Sequence, residues 1–294
     1  MSQPVLSLSG GYRALIEKPI FIVSSPRSGS TLLFETLAKG PGLFTIGGES
    51  HRVIEDVPAL SMPARNWGSN RLEAKDATAE LAEQLARNFY SVLHDRDGQP
   101  ANGSARMLEK TPKNALRVPF FDAIWPGAEF VFLYRDVRQT LASMIEAWTS
   151  GYFRTYPRLP GWTGLQWSML LVPGWQRLNG LPLPQIVAHQ WATTIDLLVE
   201  DLKRLPGGRV HAIDYDSFLA DPSRAVAGLS RAIGIDWDVP LDTLPFSKTT
   251  VSMPSADKWR RYEREIEALW PIVAEADSRA RAFAESRSIA PKDP

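Results

Sequence analysis

The chain has 294 residues, 44% of them hydrophobic, which is ordinary globular composition with enough length for a large core. Its 33 Lys and Arg balance 33 Asp and Glu, so the bulk attraction that a general nucleic-acid or anionic-membrane binder uses is missing, although small anions stay open as partners. Zero cysteine excludes disulfides, thiolate nucleophiles and zinc ribbons, four scattered histidines argue against a His-built metal site, and no run approaches the roughly 20 apolar residues of a membrane span; the expectation is a soluble, cytoplasmic protein.

Residues 19–23, Pro-Ile-Phe-Ile-Val, form a short apolar, β-branched run that predicts a buried parallel strand. It passes straight into Ser24-Ser25-Pro26-Arg27-Ser28-Gly29-Ser30-Thr31. A helical stretch follows with Leu33, Phe34 and Leu37 on one face, stopped by Gly40-Pro41-Gly42. Strand, polar turn and helix start aim backbone N–H groups and the positive helix end at one point, which suits a phosphate or sulfate oxygen. Against the nucleotide-binding P-loop pattern, Gly29 and Thr31 fall in place, but Ser24 replaces the first glycine and Ser30 the lysine. This is a degenerate P-loop. Hydrolysis of a nucleoside triphosphate recruits that lysine and magnesium, whereas a sulfuryl group carries less charge and its transfer can rest on hydrogen bonds and cations such as Arg27.

Glu49 and His51 lie just beyond this helix on a glycine-containing loop and are the candidates for a base that removes an acceptor proton. Residues 76–95 read as an amphipathic helix with Leu81, Leu85, Phe89, Val92 and Leu93 near one face. Residues 107–110 lead into Glu109-Lys110-Thr111-Pro112, 128–134 are a second clear strand, and Asp136 can N-cap a helix to about residue 149. Residues 150–184, rich in Gly and Pro and carrying Tyr152, Phe153, Tyr156, Trp162, Trp167 and Trp175, predict an irregular or short-helical, lid-like insertion. A helix over 184–205 precedes a strand at 207–215, and 256–286 is charged and helical with an interruption at Pro271. Strands alternating with helices at these intervals predict an α/β fold, a parallel sheet covered on both faces, in a single domain spanning 1–294.

Pro26-Arg27-Ser28-Gly29-Ser30-Thr31 resembles the first signature of the sulfotransferase superfamily that uses 3′-phosphoadenosine-5′-phosphosulfate (PAPS), Pro-[Arg/Lys]-Ser-Gly-[Ser/Thr]-Thr. The resemblance implies that Arg27, Ser28, Gly29, Ser30 and Thr31 hold the 5′-phosphosulfate. The second signature, an arginine at a strand end with a serine eight residues on, is matched by Arg135 and Ser143, which by resemblance hold the 3′-phosphate. Arg135 would emerge at the carboxyl edge of the sheet, with Ser143 about two turns into the next helix. Family members with a carboxylate base carry a glutamate near the place of Glu49, which makes Glu49 the first candidate and His51 the second. Lys110 lies in a segment similar to one that brings a lysine toward the transferred group. Residues 252–261 are similar to a C-terminal donor loop through Lys258, Trp259 and Arg260, but lack its Gly-x-x-Gly form.

Taken in order over residues 19–270, the resemblance implies a three-layer α/β/α fold with a central parallel sheet, PAPS as co-substrate, and metal-independent transfer to a hydroxyl or amine. The aromatic insertion suggests a hydrophobic small molecule or lipid-like alcohol as acceptor; core packing or a homodimer contact is the other use of those rings. Two rival readings stay open: a P-loop nucleotide kinase, which predicts ATP and magnesium, and a non-catalytic nucleotide-binding regulator, which predicts donor binding without turnover.

Overall fold

The structure, a computed structural model, describes residues 11–241, 244 and 257–289. A short helix α1 (Gly11–Leu15) leads into β1 (Ile20–Val23), α2 (Ser30–Leu37), β2 (Leu43–Phe44), α3 (His51–Glu55) and α4 (Ala79–Tyr90). Then come β3 (Arg106–Lys110), α5 (Val118–Ile124), β4 (Glu129–Tyr134), α6 (Val137–Ser150), β5 (Arg154–Tyr156) and β6 (Trp167–Ser168). The remainder is α7 (Leu183–Lys203), β7 (Val210–Asp214), α8 (Tyr215–Ala220), α9 (Pro222–Ala232), α10 (Glu263–Ala268) and α11 (Trp270–Arg287).

Five strands make one parallel sheet in the order β2-β3-β1-β4-β7. β1 is central and buried along its whole length, as a continuous apolar run requires. Ile22 pairs with Lys110 on one side and Val131 on the other, so the ends of β1, β3 and β4 arrive at the same edge. The chain builds outward from β1 in both directions, which makes the C-terminal end of β1 the switch point where open α/β sheets collect ligands.

Alternation along the strands divides the core into two layers. Ile20, Ile22, Leu108 and Val131 meet Leu33 and Leu37 of α2, Phe218 of α8 and Leu229 of α9. Phe21, Val23, Phe130 and Phe132 face the larger layer built from α4 to α7 and α11. There Phe21 stacks on Phe121 at 4.3 Å, which seats α5 against the sheet. The result is the three-layer α/β/α arrangement expected from the sequence.

Several local expectations need correction. The helix expected over 76–95 is shorter: Thr78 caps α4 by accepting from the Leu81 N–H, and the chain leaves α4 at Ser91. It does so because His94 pairs with Thr45 through N–H donors in both directions, and Val92, expected on the apolar face, is consequently 47% exposed. The insertion is not wholly irregular, since β5 and β6 pair antiparallel. Its rings mostly turn inward: Trp167 is surrounded by Trp148, Trp162 and Trp175 at 5.4, 4.9 and 5.9 Å. Burying such rings is worth more than displaying them, so Trp167 and Trp175 join the main core and Tyr152 and Leu165 are left outside. Pro271 opens α11 in its first turn, where a missing N–H costs no hydrogen bond. Among the described residues no helix is long and apolar enough to cross a membrane.

Candidate active site

β1 delivers residues 24–29 to the switch point. Gly29, at φ 90°, caps α2 without any side-chain hydrogen bond, so the first N–H groups of α2 are directed at the loop. Ser28 and Ser30 are buried, and the Ser25 and Ser28 hydroxyls brace the turn at 2.7 Å. Arg27 adopts φ 67°, a left-handed conformation uncommon for a residue with a Cβ, and it carries a half-buried guanidinium at the point of the turn.

The second arginine meets the first. Arg135 leaves the end of β4 and donates Nη1 to the Arg27 carbonyl oxygen at 3.0 Å, while Nε and Nη2 donate to Gln139 Oε1. Asp136 caps α6 by accepting from the N–H groups of Arg138 and Gln139. That fixes Ser143 two turns along, where its Oγ accepts from Arg27 Nε at 3.3 Å. Arg27 is thus brought against Arg135 and Ser143, which lie 108 and 116 residues further along the chain. Burial pushes both guanidiniums below their ordinary values, and at Arg27 the charge of Arg135 adds to it. Two half-buried cations held this close suit a phosphate or sulfate, which would relieve their repulsion.

Two aromatic rings cover these arginines: Tyr215, which sequence reasoning missed, and Phe153, which it named only among the aromatic residues of the insertion. Tyr215, directly after β7, lays its ring against the Arg135 guanidinium at 4.4 Å and presses on Gly29, where a Cβ would stand 2.1 Å from Tyr215 Cε2. Gly29 is therefore required twice, for its φ and for this close approach. Phe153, in the insertion, covers the Arg27 guanidinium at 4.6 Å. Neither has a local motif. Only the pairing of Tyr134 with Asp214 across β4 and β7 brings Tyr215 beside Arg135.

The other half of the site comes from β3 and α3. Lys110, 3% exposed at the end of β3, donates Nζ to Glu49 Oε1 at 2.6 Å and to Thr31 Oγ1 at 3.0 Å. His51 Nε2 lies 2.8 Å from Glu49 Oε2, and His51 opens α3 instead of lying on the loop. Burial alone would raise the Glu49 carboxyl, but the His51 hydrogen bond and the Lys110 charge outweigh it and hold the group at about 2. Glu49 is therefore ionised throughout the neutral range, with Lys110 bridging it to α2 through Thr31.

Of the C-terminal residues, Lys258 pairs with Glu146, one turn past Ser143 on α6, and so approaches the same side of the site. Trp259 contacts the guanidiniums of Arg138 and Arg260 at 5.4 and 5.0 Å. Arg260 keeps local partners, Asp257 and Glu263, and is not brought to the other arginines. Residues 252–256 of that segment lie outside the described residues.

Comparison with known proteins gives a consistent result. Over 266 residues the chain is 22% identical to a protein-tyrosine sulfotransferase of Drosophila melanogaster, covering 88% of this chain and 46% of the relative. Over 128 residues it is 30% identical to protein-tyrosine sulfotransferase 1 of Danio rerio, covering 43% of this chain and 35% of the relative. The chain spans about a third to a half of the length of the curated relatives it matches. Among solved structures, a sulfotransferase from Alicyclobacillus acidocaldarius superposes with a TM-score of 0.47 at 16% identity, covering 92% of this chain and 97% of that one. A family model described as the sulfotransferase family matches residues 19–239. That match runs from the entry to β1 past the end of α9, and so takes in the whole sheet with both arginines and the lysine that gather at its edge: the chain belongs to the sulfotransferase family.

Proposed function

We propose that this protein transfers the sulfuryl group of PAPS to a hydroxyl, or an amine, of an acceptor. The observation that carries the reading is the junction of Arg27, Arg135 and Ser143 beside a glycine-capped helix start, with Lys110 linking that helix to an ionised carboxylate. PAPS, when bound, supplies a sulfur–oxygen bond already activated for transfer. Arg27 and the N–H groups of residues 28–31 would bind its 5′ end, and Arg135 with Ser143 its 3′-phosphate. Lys110 Nζ would balance the charge that develops on the leaving oxygen, so cationic side chains fill the part that magnesium plays in phosphoryl transfer. Glu49 would receive the acceptor proton on a carboxylate oxygen, with His51 holding its orientation and standing next in line as base.

A phenol is more acidic than an alkyl alcohol and so asks least of a carboxylate base. The names of the protein-tyrosine sulfotransferases among the relatives support a phenol as the favoured acceptor class, as a hydrophobic small molecule or as a tyrosyl side chain. A lipid-like alcohol is the second reading; it loses support because Trp167 and Trp175 are spent on the core. A cytoplasmic setting, a small-molecule partner and no nucleic acid belong to the same proposal.

The test is incubation of the purified protein with PAPS and a panel containing a simple phenol, a tyrosyl peptide and a long-chain alcohol, read by mass spectrometry of the product. Sulfated phenol, lost by about a hundredfold or more in Glu49→Gln, is expected. Consumption of ATP with magnesium and no sulfated product would favour a kinase. Donor binding with no turnover across the panel would favour a non-catalytic regulator.

A further inference from the structure

The strand end that presents Lys110 carries two neighbours that the chemistry above does not use. Glu109 is 1% exposed. Its Oε1 accepts from Ser50 Oγ and Thr111 Oγ1, each at 2.6 Å, and its Oε2 accepts from Asn114 Nδ2 at 2.5 Å. All three partners are neutral and each is fully buried. Taking a carboxylate out of water is expensive, and burial accordingly pushes Glu109 up from its ordinary value against the pull of these three donors.

Ser50 explains what the arrangement holds. It is the residue between Glu49 and His51, and it is gripped twice: its hydroxyl donates to Glu109, and its backbone N–H donates to Thr111 Oγ1 at 2.7 Å. Side chains alternate along extended backbone, so Glu109 and Thr111 take one face of the strand end and Lys110 the other. Ser50 is tied to the first face while Glu49 meets Lys110 on the second. The short segment 49–51 thus straddles the end of β3.

We propose that Glu109 is a positioning residue for sulfuryl transfer: by anchoring Ser50 it sets the placement of Glu49 and His51 against Lys110. The inference rests on the reading of Glu49 as the base. Glu49 faces Lys110 and His51 directly, with the Arg27 and Lys113 charges within longer reach. Releasing Ser50 lets the carboxylate drift from these cations, which weakens the hold on its charge and misplaces it relative to an acceptor.

The decisive variant is Ser50→Ala, which removes one hydroxyl and leaves every charge in place; Glu109→Gln and Ser50→Thr accompany it. The Glu49 carboxyl is followed by carbon NMR in glutamate-labelled protein, assigned with Glu49→Gln, a readout that needs no acceptor. Wild type and Ser50→Thr should show no titration of Glu49 between about pH 3.5 and 6, whereas Ser50→Ala and Glu109→Gln should show one in that window. Turnover should fall by about tenfold or more in those two, with affinity for 3′-phosphoadenosine-5′-phosphate (PAP) within about threefold of wild type. A Ser50→Ala protein whose Glu49 stays silent and whose turnover matches wild type would overturn the proposal, whether or not Glu109→Gln folds. Failure of the wild type itself to bind PAP is a different result and would strike the sulfotransferase reading instead.

Discussion

Replacing Gly29 by alanine should damage the proposed donor site by an amount that the geometry sets. At φ 90° an L residue is strained by roughly 1–2 kcal/mol. The new methyl would also stand 2.1 Å from Tyr215 Cε2 and 2.6 Å from Cδ2, far inside contact distance. The ring is 6% exposed and cannot yield without disturbing its packing, and overpacking of this kind costs about 1–3 kcal/mol. Any shift of the ring also breaks its contact with the Arg135 guanidinium, worth about 0.5–2 kcal/mol. Together these come to roughly 2.5–7 kcal/mol, divided between folding and binding. Scanning calorimetry should therefore show Tm lowered by several degrees, and isothermal titration should show PAP bound at least about tenfold more weakly. In the Gly29→Ala/Tyr215→Ala double mutant the methyl has no ring to strike, so its loss should be smaller than the sum of the single losses. A Gly29→Ala protein with wild-type Tm and PAP affinity would refute the reasoning, and strict additivity in the double mutant would refute the contact.

Lys110, Lys113 and Trp162 each carry a further consequence of the contacts they make. Lys110→Met removes the ammonium facing Glu49, so the carboxyl should rise from about 2 toward its ordinary value. Because that carboxyl is depressed in the folded chain, its stabilisation is complete above the ordinary carboxylate range and fades as pH falls toward about 2. The acid limb of the transfer rate should accordingly lie at higher pH in Lys110→Met than in wild type, and an unmoved limb would contradict this. Lys113 is pushed down to about 8 by burial, despite Glu55 at 2.7 Å, so between there and the ordinary lysine value the folded chain binds fewer protons than the unfolded. Urea unfolding at about pH 8 and 10 should show a stability gain from this group with rising pH, smaller in Lys113→Met; an equal gain in both proteins would contradict it. Trp162→Ala, which removes the half-buried ring against Trp167, should raise the acceptor KM more than the donor KM, and equal changes would detach the insertion from acceptor binding.

The half of the site that gathers Arg27, Arg135 and Ser143 was legible in the sequence because its signals are local. A β-branched run, a Ser/Gly turn and a helix start are contiguous, and Arg135 and Ser143 share one strand-to-helix junction. Glu49 and Lys110 were legible as separate candidates, but their 2.6 Å ion pair arises from two segments about sixty residues apart that the parallel sheet lays together. Tyr215 had no signal at all, and Phe153 stood out only as one aromatic residue of the insertion, since each acquires its place beside an arginine from pairing or packing with a distant element. The two-residue strand β2 is too short for any periodicity to mark. Aromatic content in 150–184 was visible, yet composition cannot say which way a ring faces, and Trp167 faces the core. Ser50 carried no signal in the sequence, and only burial together with two hydrogen bonds to the β3 end gives it a role.

The central claim is a site shaped for a 3′,5′-bisphosphate nucleotide, and calorimetric titration tests it most directly. The purified protein is titrated with PAP in the absence of metal and, separately, with ATP and magnesium, and both titrations are repeated on Arg135→Ala. Micromolar binding of PAP without metal, weakened at least about tenfold by the substitution, is the predicted result, a loss of about 1.4 kcal/mol. Binding of ATP with magnesium while PAP leaves the protein untouched would contradict the account.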